Sequence, residues 1–146
     1  MRAKAGTRKR KRLVTAIICT ALILGAAVLA SPTRGILSAH YGMDTTAGRQ
    51  TYLHDLGWEI DPASEDIREI KVPKAFDRTM ADYNTLQREQ GFDLLPYAGM
   101  PVTIVTYALS EAPETFVTLW ICDGVVIAGD VHTTAIDGWM RAIVQE

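Results

Sequence analysis

The sequence predicts an α+β domain, an antiparallel sheet of about four strands packed by helices, carried behind an N-terminal transmembrane helix. Three observations predict it. Leu13 to Ala30 holds no charged residue. Short apolar runs between Ile67 and Val131 are bounded by Pro, Gly and an Asp-Gly pair, as strands are. Lys74 to Gln90 repeats its apolar residues at helical spacing until Gly91 stops it. At 146 residues, 48% hydrophobic and 22% charged, the chain has room for one ordinary domain, and its composition excludes disorder and a collagen-like repeat.

Charge is distributed in two blocks. Seven of the 15 basic residues (Arg2, Lys4, Arg8, Lys9, Arg10, Lys11, Arg12) precede residue 13, with no acid among them. After Ala30, eight basic residues stand against 17 acidic ones, hence a formal charge of −9, which excludes electrostatic binding to nucleic acid by that part. As a helix, residues 13–30 cover about 27 Å of a hydrocarbon core roughly 30 Å thick. Only Thr15 and Thr20 are polar in that run, so it lacks the wet face of a globular helix. The positive-inside rule then gives a cytoplasmic basic segment (1–12), a signal anchor in the lipid bilayer (13–30), a stalk rich in Pro and Gly (31–44) and an extracytoplasmic domain (45–146). Val28-Leu29-Ala30 before Ser31 also fits a signal-peptidase site, which would release a secreted domain; the length of the apolar run favours the uncleaved anchor. The two cysteines, Cys19 in the span and Cys122 in the domain, cannot meet across the membrane boundary, and Cys122 lies in an apolar run that predicts a buried, inert thiol.

In the domain, Thr45 or Thr46 can cap a first helix bearing Tyr52, Leu53 and Leu56, with Gly57 beyond its end. Trp58 and Ile60 read as a short strand ending at Asp61-Pro62. Ile67 to Val72 alternates as a half-buried strand. Pro73 opens the helix Lys74 to Gln90, with Phe76, Met80, Tyr83 and Gln87 on one side, and Phe92 beyond Gly91 is expected to fold back on Leu86. Val102–Leu109, Thr115–Cys122 and Val125–Val131 are extended, the last two joined by an Asp123-Gly124 hairpin. Thr133-Thr134 then caps a last helix with Ile136, Trp139, Met140 and Ile143 on one face. The expected order is α-β-β-α-β-β-β-α.

From Thr46 to about Met140 the chain resembles the domain-of-unknown-function family DUF4830, found in small N-terminally anchored proteins of clostridial bacteria. The resemblance rests on Gly57-Trp58-Glu59, Val72-Pro73 with Phe76, Tyr83-Asn84-Thr85-Leu86-Gln87, and Gln90-Gly91-Phe92-Asp93-Leu94 with Tyr97 and Gly99. It continues through Thr106-Tyr107 and Gly129-Asp130-Val131 ahead of Gly138. It implies location and architecture but no activity, substrate or cofactor. Members often carry Ile-Gly-Gly before the aspartate and Cys after the valine, where this chain has Ile127-Ala128-Gly129 and His132, so a role needing His132 is not a family role.

No catalytic constellation emerges. Asp130 and His132, two apart on a strand, share a face about 6.6–7 Å apart and could hold one metal ion if a third ligand arrived. The alternative is that Asp130 satisfies a backbone group and His132 lies at the surface. His54-Asp55 diverge on their helix. Glu65, Asp66 and Glu69 lack calcium-loop spacing and read as a solvated acidic edge. None of the four serines has nucleophile-elbow context. Trp58, Tyr97, Tyr107 and Trp120 read as core residues rather than a pocket lining. Asn84 and Gln87, at i and i+3 beside an apolar stripe, either bond buried backbone or face a ligand. The candidate binding residues are therefore Asn84, Gln87, Asp93 and Asp130, with no metal or cofactor implied. The function expected is a non-catalytic binding or interaction module of the bacterial cell envelope, with an envelope protein or small ligand as partner and no nucleic acid. A metal-assisted hydrolase using Asp130 and His132 is the alternative.

Overall fold

Alternation along the long strands gives the sheet two faces, and a helix packs on each. The computed structural model describes residues 39–145. The basic segment, the expected span at 13–30 and most of the stalk lie outside them; among the described residues no helix is long and apolar enough to cross a membrane. The elements run α1 (Thr46–Asp55), β1 (Asp66–Lys71), α2 (Arg78–Glu89), β2 (Pro101–Leu109), β3 (Ala112–Cys122), β4 (Val125–Thr133) and β5 (Met140–Ala142). The five strands form one antiparallel sheet in sequence order. The fold is α+β, with one strand more than expected.

Both helices start and stop by local chemistry. Thr45 Oγ1 accepts the Gly48 N–H (3.1 Å) and Asp77 Oδ1 the Met80 N–H (2.8 Å), each satisfying an orphan donor of a first turn. Because Asp77 is the cap, α2 begins four residues later than the sequence suggested. At α1's end Trp58 N–H bonds Leu53 O and Gly57 N–H bonds His54 O; at α2's end Phe92 N–H bonds Gln87 O and Gly91 N–H bonds Arg88 O. These are two Schellman motifs, with Gly57 and Gly91 at φ of 88° and 89°. Each motif turns an aromatic residue, Trp58 or Phe92, into the same core. Phe92 therefore does not fold back on Leu86, which lines a groove on the other side.

That core lies on one sheet face, where Val105, Tyr107, Val117, Leu119 and Val131 meet Tyr52 and Leu53 of α1. Met43, 1% exposed, joins it, so the last residues assigned to the stalk are part of the domain. On the other face Val72, Leu94, Val102, Cys122, Ile127 and Ala128 form a smaller core under α2. Cys122 is buried and free, and burial raises its thiol pKa. A bulge opposite Trp120 and Ile121 leaves Ile127 as the extra residue of β4. Asp123 and Gly124 both take positive φ in the β3–β4 hairpin, as expected.

Two expected elements are absent. Trp58 and Ile60 make only a single bridge, Ile60 to Leu109, while Trp58 Nε1 donates to Ile143 O (2.7 Å). The expected last helix is instead a turn followed by β5, which pairs Met140 with His132, Arg141 with Val131 and Ala142 with Asp130. Its apolar spacing was misleading because Ile136 is wholly exposed and Ile143 wholly buried, so they share no face. The free edge of β4 offers backbone partners that a helix would have left unpaired.

Beyond β5 the ladder is continued by side chains. Gly129 N–H donates to Gln87 Oε1 (2.9 Å), and Gln90 Nε2 donates to Gly129 O (2.8 Å) and to Gln87 Oε1 (3.0 Å). Gln90 Oε1 accepts the N–H groups of Ile143 (2.9 Å) and Val144 (3.3 Å). A side chain at Gly129 would lie 3.0 Å from Ile143 Cγ2 and 3.2 Å from Thr118 O, so a Cβ there would press its neighbours aside by a few tenths of an ångström. Gln90→Leu keeps the volume but strands buried backbone groups, at about 1–3 kcal/mol each. It should therefore cost about 2–5 kcal/mol of unfolding free energy by denaturant titration. Arg88→Leu, on the exposed side of the same helix, should stay within about 0.5 kcal/mol.

Candidate functional site

The amides of Gln87 and Gln90 tie the C-terminal half of α2 to Gly129, so the helix covers only part of its sheet face. The uncovered part is a groove of about 740 Å³. Met80, Tyr83 and Leu86 form its helix wall, Ile104 and Trp120 part of its sheet floor, and Met140 lines it from β5. Strand register sets a polar row across that floor, with Thr106 opposite Thr118 and Thr118 opposite Asp130. The two threonine hydroxyls are 3.1 Å apart.

Asp130 is the chemical centre of the row. It is 3% exposed; Tyr83 Oη donates to Oδ2 (2.9 Å), and His132 Nδ1 lies 2.8 Å from Oδ1. Burial raises the carboxyl pKa, and the bonds from His132 and Tyr83 only partly oppose it. Tyr83 is pushed well above its ordinary value by burial first and by Asp130 second. The Tyr83 ring lies against Trp120 at 5.5 Å, and the His132 ring stacks on Phe116 at 5.9 Å. Asp130 thus satisfies side chains rather than the expected backbone group, and His132 is half-buried rather than a free surface residue. Among the described residues no three His, Cys, Asp or Glu side chains gather closely enough to hold a metal ion, so one held by Asp130 and His132 would need its other ligands from elsewhere.

The other candidate binding residues bond within the fold. Asn84 Oδ1 accepts the Leu94 N–H (2.7 Å), and its Nδ2 donates to Asp93 Oδ1 (3.0 Å). That same Asp93 oxygen takes the Leu95 N–H (3.0 Å), so Asn84 and Asp93 brace the loop after α2. Gln87 is wholly buried against Gly129, with Nε2 unpartnered. Of the four, only Asp130 reaches the groove. By sequence Trp120 reads as a core residue, Tyr83 only as one of the apolar side of its helix, and Thr106 and Thr118 have no role. The available signal was threonine at alternate positions of otherwise apolar strands, on the face α2 leaves open.

A second polar network lies on the opposite face and is closed. Arg49, 5% exposed, donates through Nη2 (2.7 Å) and Nε (3.1 Å) to Glu65 Oε1, through Nη1 to Met43 O (3.0 Å) and through Nη2 to Thr46 Oγ1 (3.0 Å). Tyr107 Oη donates to the same Glu65 oxygen. Burial alone would raise the Glu65 pKa, but the bonds from Tyr107, Arg49 and Thr46 bring it below its ordinary value. Burial, then the bond to Glu65, pushes Tyr107 up to about 12. Glu65 is therefore a structural anchor and not part of a solvated acidic edge. Asp66 and Glu69 are exposed as expected, Asp66 paired with Arg68 at 2.7 Å.

Comparison with known proteins places the chain in one family. Residues 52–139 match the family described as Domain of unknown function (DUF4830), and the chain belongs to it. No curated protein and no solved structure matches it. The matched span contains both amides, Gly129 and Asp130; Arg49 and β5 fall outside it.

The carboxylates of Glu65 and Asp130 should respond oppositely to pH. Glu65, lowered in the fold, contributes stability that is present above its unfolded pKa and lost as pH falls through its folded one. Asp130, raised in the fold, disfavours folding above its folded pKa, and that penalty fades as pH falls toward its unfolded value. In thermal melts at pH 7, Glu65→Gln should melt below the native chain and Asp130→Asn at or above it. Both differences should shrink as pH is lowered.

Proposed function

We propose that this chain is a non-catalytic binding module of the bacterial cell envelope, held to the membrane by residues 13–30, whose extracytoplasmic domain binds a small ligand in the groove between α2 and the sheet. The observation that carries the reading is Asp130. A carboxylate that is 3% exposed, with its pKa raised, is kept at the floor of an open groove where a neutral residue would cost the fold less. The volume, about 740 Å³, lies in the range of small-molecule sites, and apolar walls with a few convergent polar groups suit binding. The membrane part of the proposal rests on the sequence: an uncharged run of spanning length directly behind seven basic residues.

Two experiments test the parts separately. In a fragment screen on the full chain followed by amide NMR, shifts should concentrate at Thr106, Thr118, Trp120 and Asp130. Hits confined to the surface around Trp58 and Arg141, or none at all, would defeat the groove. Protease added to intact protoplasts should degrade the domain and leave a short protected N-terminal fragment; a protected domain would reverse the orientation.

A further inference from the structure

We infer that the ligand of the groove is an organic cation, a small primary amine on an aromatic or branched apolar body; the inference rests on the groove being the binding site. The charged side chains on its lining are Asp77, Asp82 and Asp130, and among the described residues that line it there is no Lys or Arg. His132, the one basic side chain on the lining, is engaged with Asp130 Oδ1 through Nδ1.

The floor and the rim make different contributions. Each Asp130 oxygen receives one donor, from Tyr83 or His132, and a carboxylate oxygen offers about two acceptor sites, so both keep capacity for an ammonium N–H. A charge-assisted bond to that buried carboxylate would supply the countercharge that a tyrosine hydroxyl cannot. On the rim, Asp82 is only 3.9 Å-paired with Arg78, both largely exposed, so its charge is barely neutralised. Asp77 caps α2 and stays exposed. Trp120 and Tyr83 present aromatic surface beside Asp130, a setting that favours a cation over a neutral or anionic head. The remainder of the ligand would lie against Met80, Leu86, Ile104 and Met140. The acidic balance of the chain after Ala30 also attracts cations.

The probes are three molecules of one shape: 2-phenylethylamine, 2-phenylethanol and 3-phenylpropionate, titrated into the full chain at pH 7 and followed by amide NMR. The amine should bind about tenfold more tightly than the alcohol, the worth of one charge-assisted bond, and the carboxylate should bind least. Asp130→Asn should bring the amine down to the alcohol's affinity. Asp82→Asn, an exposed change that does not touch the fold, should weaken the amine by about twofold. Equal binding of amine and alcohol would overturn the cation assignment while leaving the groove reading in place. Failure of all three to shift groove residues would overturn both. A preference for the amine that survives in both variants would remove Asp130 and Asp82 from the site.

Discussion

The structure depends on the backbone of Gly129. It lies on the side of β4 away from β3, just where β5 stops, so its buried N–H and C=O have no strand to take them. Two glutamine amides, Gln87 on α2 and Gln90 capping its end, take both and hold the returning chain at Ile143 as well. A side-chain amide has the donor and acceptor of a peptide group, so the pair acts as one more rung of the sheet. Leaving those groups bare would cost about 1–3 kcal/mol each, more than the net gain of an ordinary hydrogen bond. The unpartnered Nε2 of Gln87 is a cost of the arrangement, and the bonds made on both sides of it offset that cost.

From this attachment the rest of that face follows. The two amides fix α2 at its C-terminal half, over the smaller core of Val102, Cys122 and Ile127. The strand row beyond it, from Thr106 through Thr118 to Asp130, is left open. On the opposite face Arg49 and Glu65 meet with Tyr107 between α1 and the sheet. A buried ion pair is weak evidence for stability by itself, since desolvation opposes the Coulomb attraction. Here its hydrogen bonds are numerous enough to keep Glu65 ionised, which is the mark of a closed network. Asp130 has only two donors, which do not offset its burial, so its pKa stays raised.

What the sequence made legible was whatever adjacent residues decide among themselves. Gly57 and Gly91 mark helix ends because few other residues tolerate their φ, and Asp123-Gly124 marks a hairpin for the same reason. Strand alternation located β1 to β4 within a few residues. Long-range pairing was not legible. Ile136, Trp139, Met140 and Ile143 fit a helix by spacing, and only the free edge of β4 turns that segment into a strand. Tyr83 and Asp130 are 47 residues apart and Arg49 and Glu65 16 apart, so neither contact leaves a periodic trace. Asn84 and Gln87, read from their spacing as polar residues beside a buried stripe, bond the backbone of Leu94 and Gly129.

The conjunction of Gly129 and Asp130 explains why structure and proposed binding occupy one dipeptide. Along a strand, neighbouring side chains point to opposite faces, so Asp130 reaches the groove only if its neighbour belongs to the other side. That neighbour lies where Ile143 and the Thr118 carbonyl close in, so a Cβ there would be tightly packed. The absence of a side chain lets the glutamine amides reach its backbone, which in turn sets the distance between α2 and the sheet. Tyr83 lies one helical turn before Gln87, so fixing Gln87 on Gly129 also aims the Tyr83 hydroxyl at Asp130. One pairing of helix and strand thus fixes the carboxylate, its tyrosine donor and the opening above them.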